Sequence, residues 1–404
     1  METALNKGRE AGFAGGLRLQ IALSFFAFIL IGANDGALGV LIPSIRNYYG
    51  IDKATVGLIF LAGTAGYFSA GFSSGLLVEK LGQRLFLMLG PAMMLIGASM
   101  LVLKPPFLLT MLSFLLIGFG VAVIDAGLNA YIAGLPRSTS LLNYLHAFYG
   151  IGALIGPLVA SAILTLEWGW NNTYILWIMF ATVLIVSFGV LFKRREAPQP
   201  TEEKEQGNVL AAALRLPVVW LAAFFLIFYV GAEVSLGSWS FTFLTEYRHE
   251  AELFSGWTVS GYWMGLTLGR LILARIAERT GSKRMIQVCL VGVVTGVLLV
   301  WLIPVGAVAA FGLGLTGFSL GPIFPTTIAL MPNFVPARLV PSAIGFVASL
   351  GSMGAALLPW IAGNLAEGLG LWSLLPYVIG LTLLMLVVWM ILQARHPETR
   401  PETE

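Results

Sequence analysis

The chain has 404 residues, 58% of them hydrophobic and 11% charged, with a mean hydropathy of +0.87. Soluble domains carry about 45–50% apolar and about 25% charged residues, so this composition excludes an ordinary soluble protein and points to an integral membrane protein. The net charge of +3 is scattered over separate loops, which argues against a nucleic-acid partner, while a single cysteine, Cys289, and three dispersed histidines leave no metal centre, and no cofactor is expected.

Apolar stretches of about 20 residues, bounded by charges, Pro and Gly, mark spanning helices. In chain order they fall at 17–46, 55–79, 85–103, 107–134, 143–165, 172–193, 216–245, 255–278, 284–303, 307–331, 341–366 and 371–393. The expected fold is all-α, with twelve transmembrane helices in two six-helix bundles. A polar tail, 1–16, precedes the first bundle at 17–193. A charged, proline-containing linker, 194–215, leads to the second bundle at 216–393 and a tail at 394–404. With the N-terminus inside, the inward loops and tails carry eighteen Lys and Arg and the outward loops four, which places both termini in the cytoplasm of a cell (inner) membrane protein.

The first helix reads "FILIGANDGALGVLIP" and holds Asp35, with Asn34 beside it. An ionised acid at the centre of a span costs about 2.5–3.5 kcal/mol, so it persists where water or a partner reaches it and marks a functional position. In the fourth helix, "VIDAGLNAYI" sets Asp125 and Asn129 four residues apart, on one face. The fifth helix follows with Asn143, His146 and Tyr149 at three-residue spacing. In the seventh, "VGAEVSLGSW" carries Glu233 and Trp239. Asp35, Asp125 and Glu233 are the carboxylates deep in the spans and the candidates for proton coupling. Glu233 also suits substrate binding or charge balance. Asn34, Asp125, Asn129, Asn143, His146 and Tyr149 are candidates for binding the solute, although Asn129 and Asn143 equally fit hydrogen bonds between helices, and His146 equally fits an interfacial position. Trp239 and Trp263 are candidates for stacking on a sugar ring. Arg270, eight residues or about 12 Å of rise before Glu278, either snorkels to the surface or forms an internal ion pair, for which Asp125 is the favoured partner.

The two halves repeat. The turn "GLLVEKLGQR" after the second helix contains Glu79, Lys80, Gly82 and Arg84, and "ARIAERTGSK" after the eighth contains Glu278, Arg279, Gly281 and Lys283, each 199 residues on. "GF" recurs at Gly118 and Gly317, and "GALIGP" from Gly152 is echoed by "GAALLP" from Gly354. Tandem repeats of this kind belong to transporters whose solute site lies between two rocking bundles.

Twelve helices, a long central loop and the acid-x-x-Gly-x-basic turns resemble the major facilitator superfamily over essentially the whole chain, with Glu79 where the usual signature has Asp. Within it, "GANDGALGVLIP", "VIDAGLNAYI" and "LLNYLHAFYGIGALIGP" are similar to the fucose/glucose:proton symporter family. That resemblance implies that Asp35 and Asp125 serve proton coupling and sugar binding, and that Tyr149 stands near a position where the fucose transporter has asparagine. It also implies that the two turns act as cytoplasmic gating loops. The expected function is proton-coupled import of a sugar or similar small polar solute by alternating access, by a monomer in the lipid bilayer, with sodium as an alternative coupling ion. The same acids would serve a proton antiporter exporting drugs or hydrophobic metabolites, and a solute sensor that does not transport is a third reading. With no clustered nucleophile, base or metal ligands, the chain is not expected to be an enzyme.

Overall fold

The computed structural model describes residues 2–136, 138–192 and 206–395; the side chains of 2–15, 139, 206–208, 274–280 and 395 lie outside this description, and with them those of Glu278 and Arg279. The described residues form α1 (Glu2–Tyr49), α2 (Lys53–Val56), α3 (Leu58–Val102), α4 (Phe107–Ala133), α5 (Ser138–Thr165) and α6 (Asn172–Leu191). After these come α7 (Gln206–Leu214), α8 (Pro217–Thr242), α9 (Glu252–Thr280) and α10 (Ser282–Leu302). The rest are α11 (Gly306–Leu320), α12 (Ile323–Phe334), α13 (Val340–Ser352), α14 (Gly354–Gly368) and α15 (Leu374–Arg395). Among the described residues, ten helical stretches are long and apolar enough to cross a membrane. One of them, Lys53–Val102, contains α3, which breaks at Gly82 (φ 72°) into the expected second and third helices; the 29-residue α9 lies where the eighth helix is expected but is not among the ten. The tenth and eleventh expected helices are each interrupted, as α11 with α12 and α13 with α14.

The chain divides into two compact units, residues 1–50 with 58–199, and 51–57 with 200–404. In the first, α1 packs on α5, and α3 on α4 and α6; in the second, α8 packs on α13, α14 and α15, α9 on α11, and α10 on α11 and α15. Two segments depart from the expected boundaries. Residues 51–57 group with the second unit because Lys53 holds Glu367 twice, through its backbone N–H (3.0 Å) and its ammonium (3.5 Å). Asp52 caps that short helix by accepting from the Thr55 amide at 2.6 Å, and the hydrogen bonds from Thr55 hold its carboxyl below the usual carboxylate range. Within the expected linker, "NVLAAAL" is rich in strong helix formers and folds as α7, burying Ala213.

Small residues set the helix spacing, as membrane helices require when lipid is as apolar as their own side chains. A Cβ on Gly118 of α4 would run into the carbonyl of Gly63 on α3, and one on Gly317 of α11 into the carbonyl of Tyr262 on α9. Gly66 against Leu115, and Gly265 against Gly314, make a second matched pair. Every member of these contacts recurs 199 residues on, and the helix-breaking Gly82 and Gly281 (φ 86°) keep the same offset. The repeat read in the sequence is therefore a repeat of backbone contacts. Gly118→Ala is expected to cost about 1–3 kcal/mol by overpacking. Gly71→Ala, where no atom lies within 4 Å of the new methyl, is expected to be neutral or to gain up to about 1 kcal/mol of helix propensity. Thermal unfolding of the purified protein compares the two, and equal stability of Gly118→Ala and wild type would contradict the close-packing account.

Candidate functional site

Asp35 lies on α1 between two glycines that admit α5. A Cβ at Gly32 would strike the carbonyl of Tyr149, and one at Gly36 the carbonyl of Ala153. This close approach brings the Tyr149 phenol to Asp35, where it donates to Oδ2 at 3.1 Å, while Asn34 Nδ2 donates to Oδ1 at 3.2 Å. Asp35 is exposed within its unit, and Asn34 and Tyr149 are half-buried. His146 and Asn143, on the same helix as Tyr149, are exposed; His146 meets the ring of Phe28 edge-on at 5.6 Å, and Asn143 makes no hydrogen bond among the described residues.

The second acid of this unit is held in the same way and more tightly. Tyr67 of α3 donates to Asp125 Oδ2 at 2.8 Å, and Asn129 Nδ2 donates to Asp125 Oδ1 at 2.8 Å and to its backbone carbonyl at 2.9 Å. The glycine contacts between α3 and α4 bring Tyr67 within reach. Its ring packs on a cluster of Ala70, Phe86, Ala122 and Val123. Sequence reasoning missed Tyr67, and the available signal was its being the one tyrosine in the whole of α3. Among the described residues, no Lys or Arg pairs with Asp35 or Asp125; His146 lies within electrostatic reach of Asp125, and the two acids within reach of each other.

In the second unit the acid is compensated. Arg270 of α9 pairs with Glu233 Oε1 of α8 at 3.3 Å, with side-chain exposures of 32% and 12%. This corrects the expectation that Arg270 pairs with Asp125, whose partners are Tyr67 and Asn129. The Tyr262 hydroxyl donates to the Glu233 backbone carbonyl at 2.8 Å, fixing the turn that presents the carboxylate. Trp239 is not placed as a stacking platform: its side chain is buried and its indole N–H donates to the Pro359 carbonyl at 2.8 Å. Trp263 is likewise buried, its ring against Gly237 and edge-on to Tyr262 at 5.3 Å. At the turns, Glu79 and Lys80 are exposed with no hydrogen bond or ion pair among the described residues, and Arg84 and Lys283 are half-buried.

Two repeated six-helix units with carboxylates set inside their spans define a secondary transporter. The sequence profile of the Major Facilitator Superfamily matches residues 24–312 and 243–404, and the chain belongs to that family. It is 25% identical over 396 residues to "Bypass of stop codon protein 6" of Saccharomyces cerevisiae, covering 88% of this chain and 78% of that one. It is 24% identical over 395 residues to a glucose/galactose transporter of Brucella abortus, covering 92% of each. A crystal structure of a variant of the nucleoside transporter NupG superposes with a TM-score of 0.78 at 15% identity, over 93% of this chain and 99% of that one, which establishes the fold alone.

Proposed function

We propose that the protein imports a hexose such as glucose or galactose together with a proton. The observation that carries this reading is the contrast between the units. Glu233 has an arginine beside it and stays charge-balanced, whereas among the described residues Asp35 and Asp125 are met by neutral donors, with a histidine within reach of Asp125, and by no Lys or Arg. Moving such uncompensated carboxylates through an apolar layer is costly, and a proton removes the cost at either acid. The amides, phenols and carboxylates around these acids are the groups that pair with sugar hydroxyls, and a glucose/galactose transporter is among the relatives. Asp35, the more exposed acid, takes up the proton that permits the rocking motion; Asp125 and Asn129 face the solute. In this reading Asp125, like Asp35, takes up a proton during the transport cycle. The turns at Glu79–Arg84 and Glu278–Lys283 gate the cytoplasmic side, and both termini lie there.

The test is uptake into liposomes by the purified protein, with D-glucose, D-galactose, nucleosides and lipophilic cations as labelled substrates. A hexose that accumulates under an inward proton gradient, and stops accumulating with a protonophore, is the expected result. Uptake confined to nucleosides or to lipophilic cations would overturn the substrate class. Accumulation driven by sodium and indifferent to protonophore would overturn the coupling ion.

A further inference from the structure

We propose that Tyr67 reads the protonation state of Asp125 and offers its hydroxyl hydrogen to the solute when that acid is neutral. The inference rests on the proposal that Asp125 protonates during transport, and it starts from which oxygen can take the proton. Both carboxylate oxygens accept a hydrogen bond, and a proton that takes the lone pair a donor occupies turns that partner from donor to acceptor. On Oδ1 the partner is Asn129 Nδ2, which also donates to the Asp125 backbone carbonyl at 2.9 Å. Flipping that amide to present its oxygen would set it against the backbone carbonyl oxygen, two acceptors facing each other. Asn129 is therefore locked as a donor, and Oδ1 is closed to the proton. On Oδ2 the partner is a phenol, which both donates and accepts.

The proton thus binds Oδ2. It comes from water and stays on the carboxyl; Tyr67 keeps its own hydrogen, accepts from the new Asp125 O–H, and turns its O–H away from the acid. That released donor is what a sugar hydroxyl or ring oxygen can accept. With Asp125 ionised, the same hydrogen is committed to the carboxylate and the solute loses it. Proton and solute then favour each other through one rotating hydroxyl, without a change in backbone. Tyr67 is half-buried, with one side of its ring fixed on the Ala70 and Phe86 cluster, so the hydroxyl is the part left free to turn. Among the described residues, Tyr67 on α3 donates to Asp125, and Asp35 on α1 and His146 on α5 lie within electrostatic reach of it. The pair at Asp35 has no such lock. Its Asn34 amide makes a single, longer bond at 3.2 Å and, among the described residues, no second one to hold its orientation.

Four proteins test the inference: wild type, Asp125→Asn, Tyr67→Phe and the double variant, with D-galactose affinity measured at acidic and alkaline pH. The wild type is expected to bind about 5-fold more tightly on the acidic side, the worth of one neutral hydrogen bond. Asp125→Asn, whose amide donates to Tyr67 as the protonated acid would, is expected to bind tightly at both. Tyr67→Phe is expected to bind weakly at both, and the double variant like Tyr67→Phe. A double variant that binds like Asp125→Asn, or a Tyr67→Phe protein that keeps the wild-type pH profile, overturns the role of Tyr67. An Asp125→Asn protein that keeps the wild-type profile instead overturns Asp125 as the titrating acid. A second readout needs no solute. Infrared difference spectra between the two pH values are expected to show a carboxylic C=O band that is absent in Asp125→Asn, displaced in Tyr67→Phe and unmoved in Tyr149→Phe. A band unmoved by Tyr67→Phe overturns the proposal even if galactose is not the solute.

Discussion

Asp35→Asn is expected to abolish proton-driven accumulation of solute while leaving counterflow intact. The amide has the shape of the protonated acid and can still meet the Tyr149 phenol and the Asn34 amide, which lie 3.1 and 3.2 Å from the carboxylate. The fold around it is unaffected, because α1 and α5 are held together by the glycine contacts at Gly32 and Gly36 rather than by the acid. What the variant lacks is a group that can lose a proton. Exchange of internal for external solute needs no net proton movement and continues; concentration against a gradient does, and falls to simple equilibration. Both are measured in the same liposomes, so a misfolded protein is recognised by the loss of counterflow. An Asp35→Asn protein that still concentrates solute in response to a pH gradient would make this aspartate a structural residue.

The positions of the helices, the breaks between them and the repeat were legible in the sequence because each has a one-dimensional signal. Span length follows from bilayer thickness, and Gly82 and Gly281 mark the turns because both adopt positive φ, 72° and 86°. The repeat survived as paired glycines because helix contacts at Gly63–Gly118 and Tyr262–Gly317 leave no room for a side chain on Gly118 or Gly317. Side-chain partners were less legible. A soluble helix declares its inner face by polarity, but a membrane helix is apolar toward lipid and toward its neighbours alike, so its rotation about its own axis is weakly written. Trp239 could therefore be read as a stacking surface when its indole is committed to the Pro359 carbonyl. Tyr67 went unread for the same reason: its being the one tyrosine of α3 singles it out but does not say that its hydroxyl meets an acid 58 residues away. Depth alone suggested Asp125 for Arg270, whereas rotation of α8 and α9 brings Glu233 to it.

That pair is the site of the second large effect. Arg270→Ala is expected to destabilise the protein by about 3–5 kcal/mol, because Glu233, with its side chain 12% exposed, is left as an uncompensated charge. Most of that cost belongs to the orphaned carboxylate rather than to lost attraction, so neutralising the acid removes it. Adding Glu233→Gln to Arg270→Ala is accordingly expected to recover a substantial part of the stability, a non-additive result that isolates the interaction between the two residues. Asp125→Asn added to Arg270→Ala is expected to recover nothing, since Asp125 is bonded by Tyr67 and Asn129. Glu233→Gln alone leaves the arginine without its counter-charge, though a side chain 32% exposed finds water more readily, and the expected loss is smaller. Unfolding midpoints of the four proteins decide the matter. Strict additivity for Arg270 with Glu233, or recovery through Asp125→Asn instead, would return Glu233 to the set of uncompensated acids and reopen it as a carrier of the transported proton.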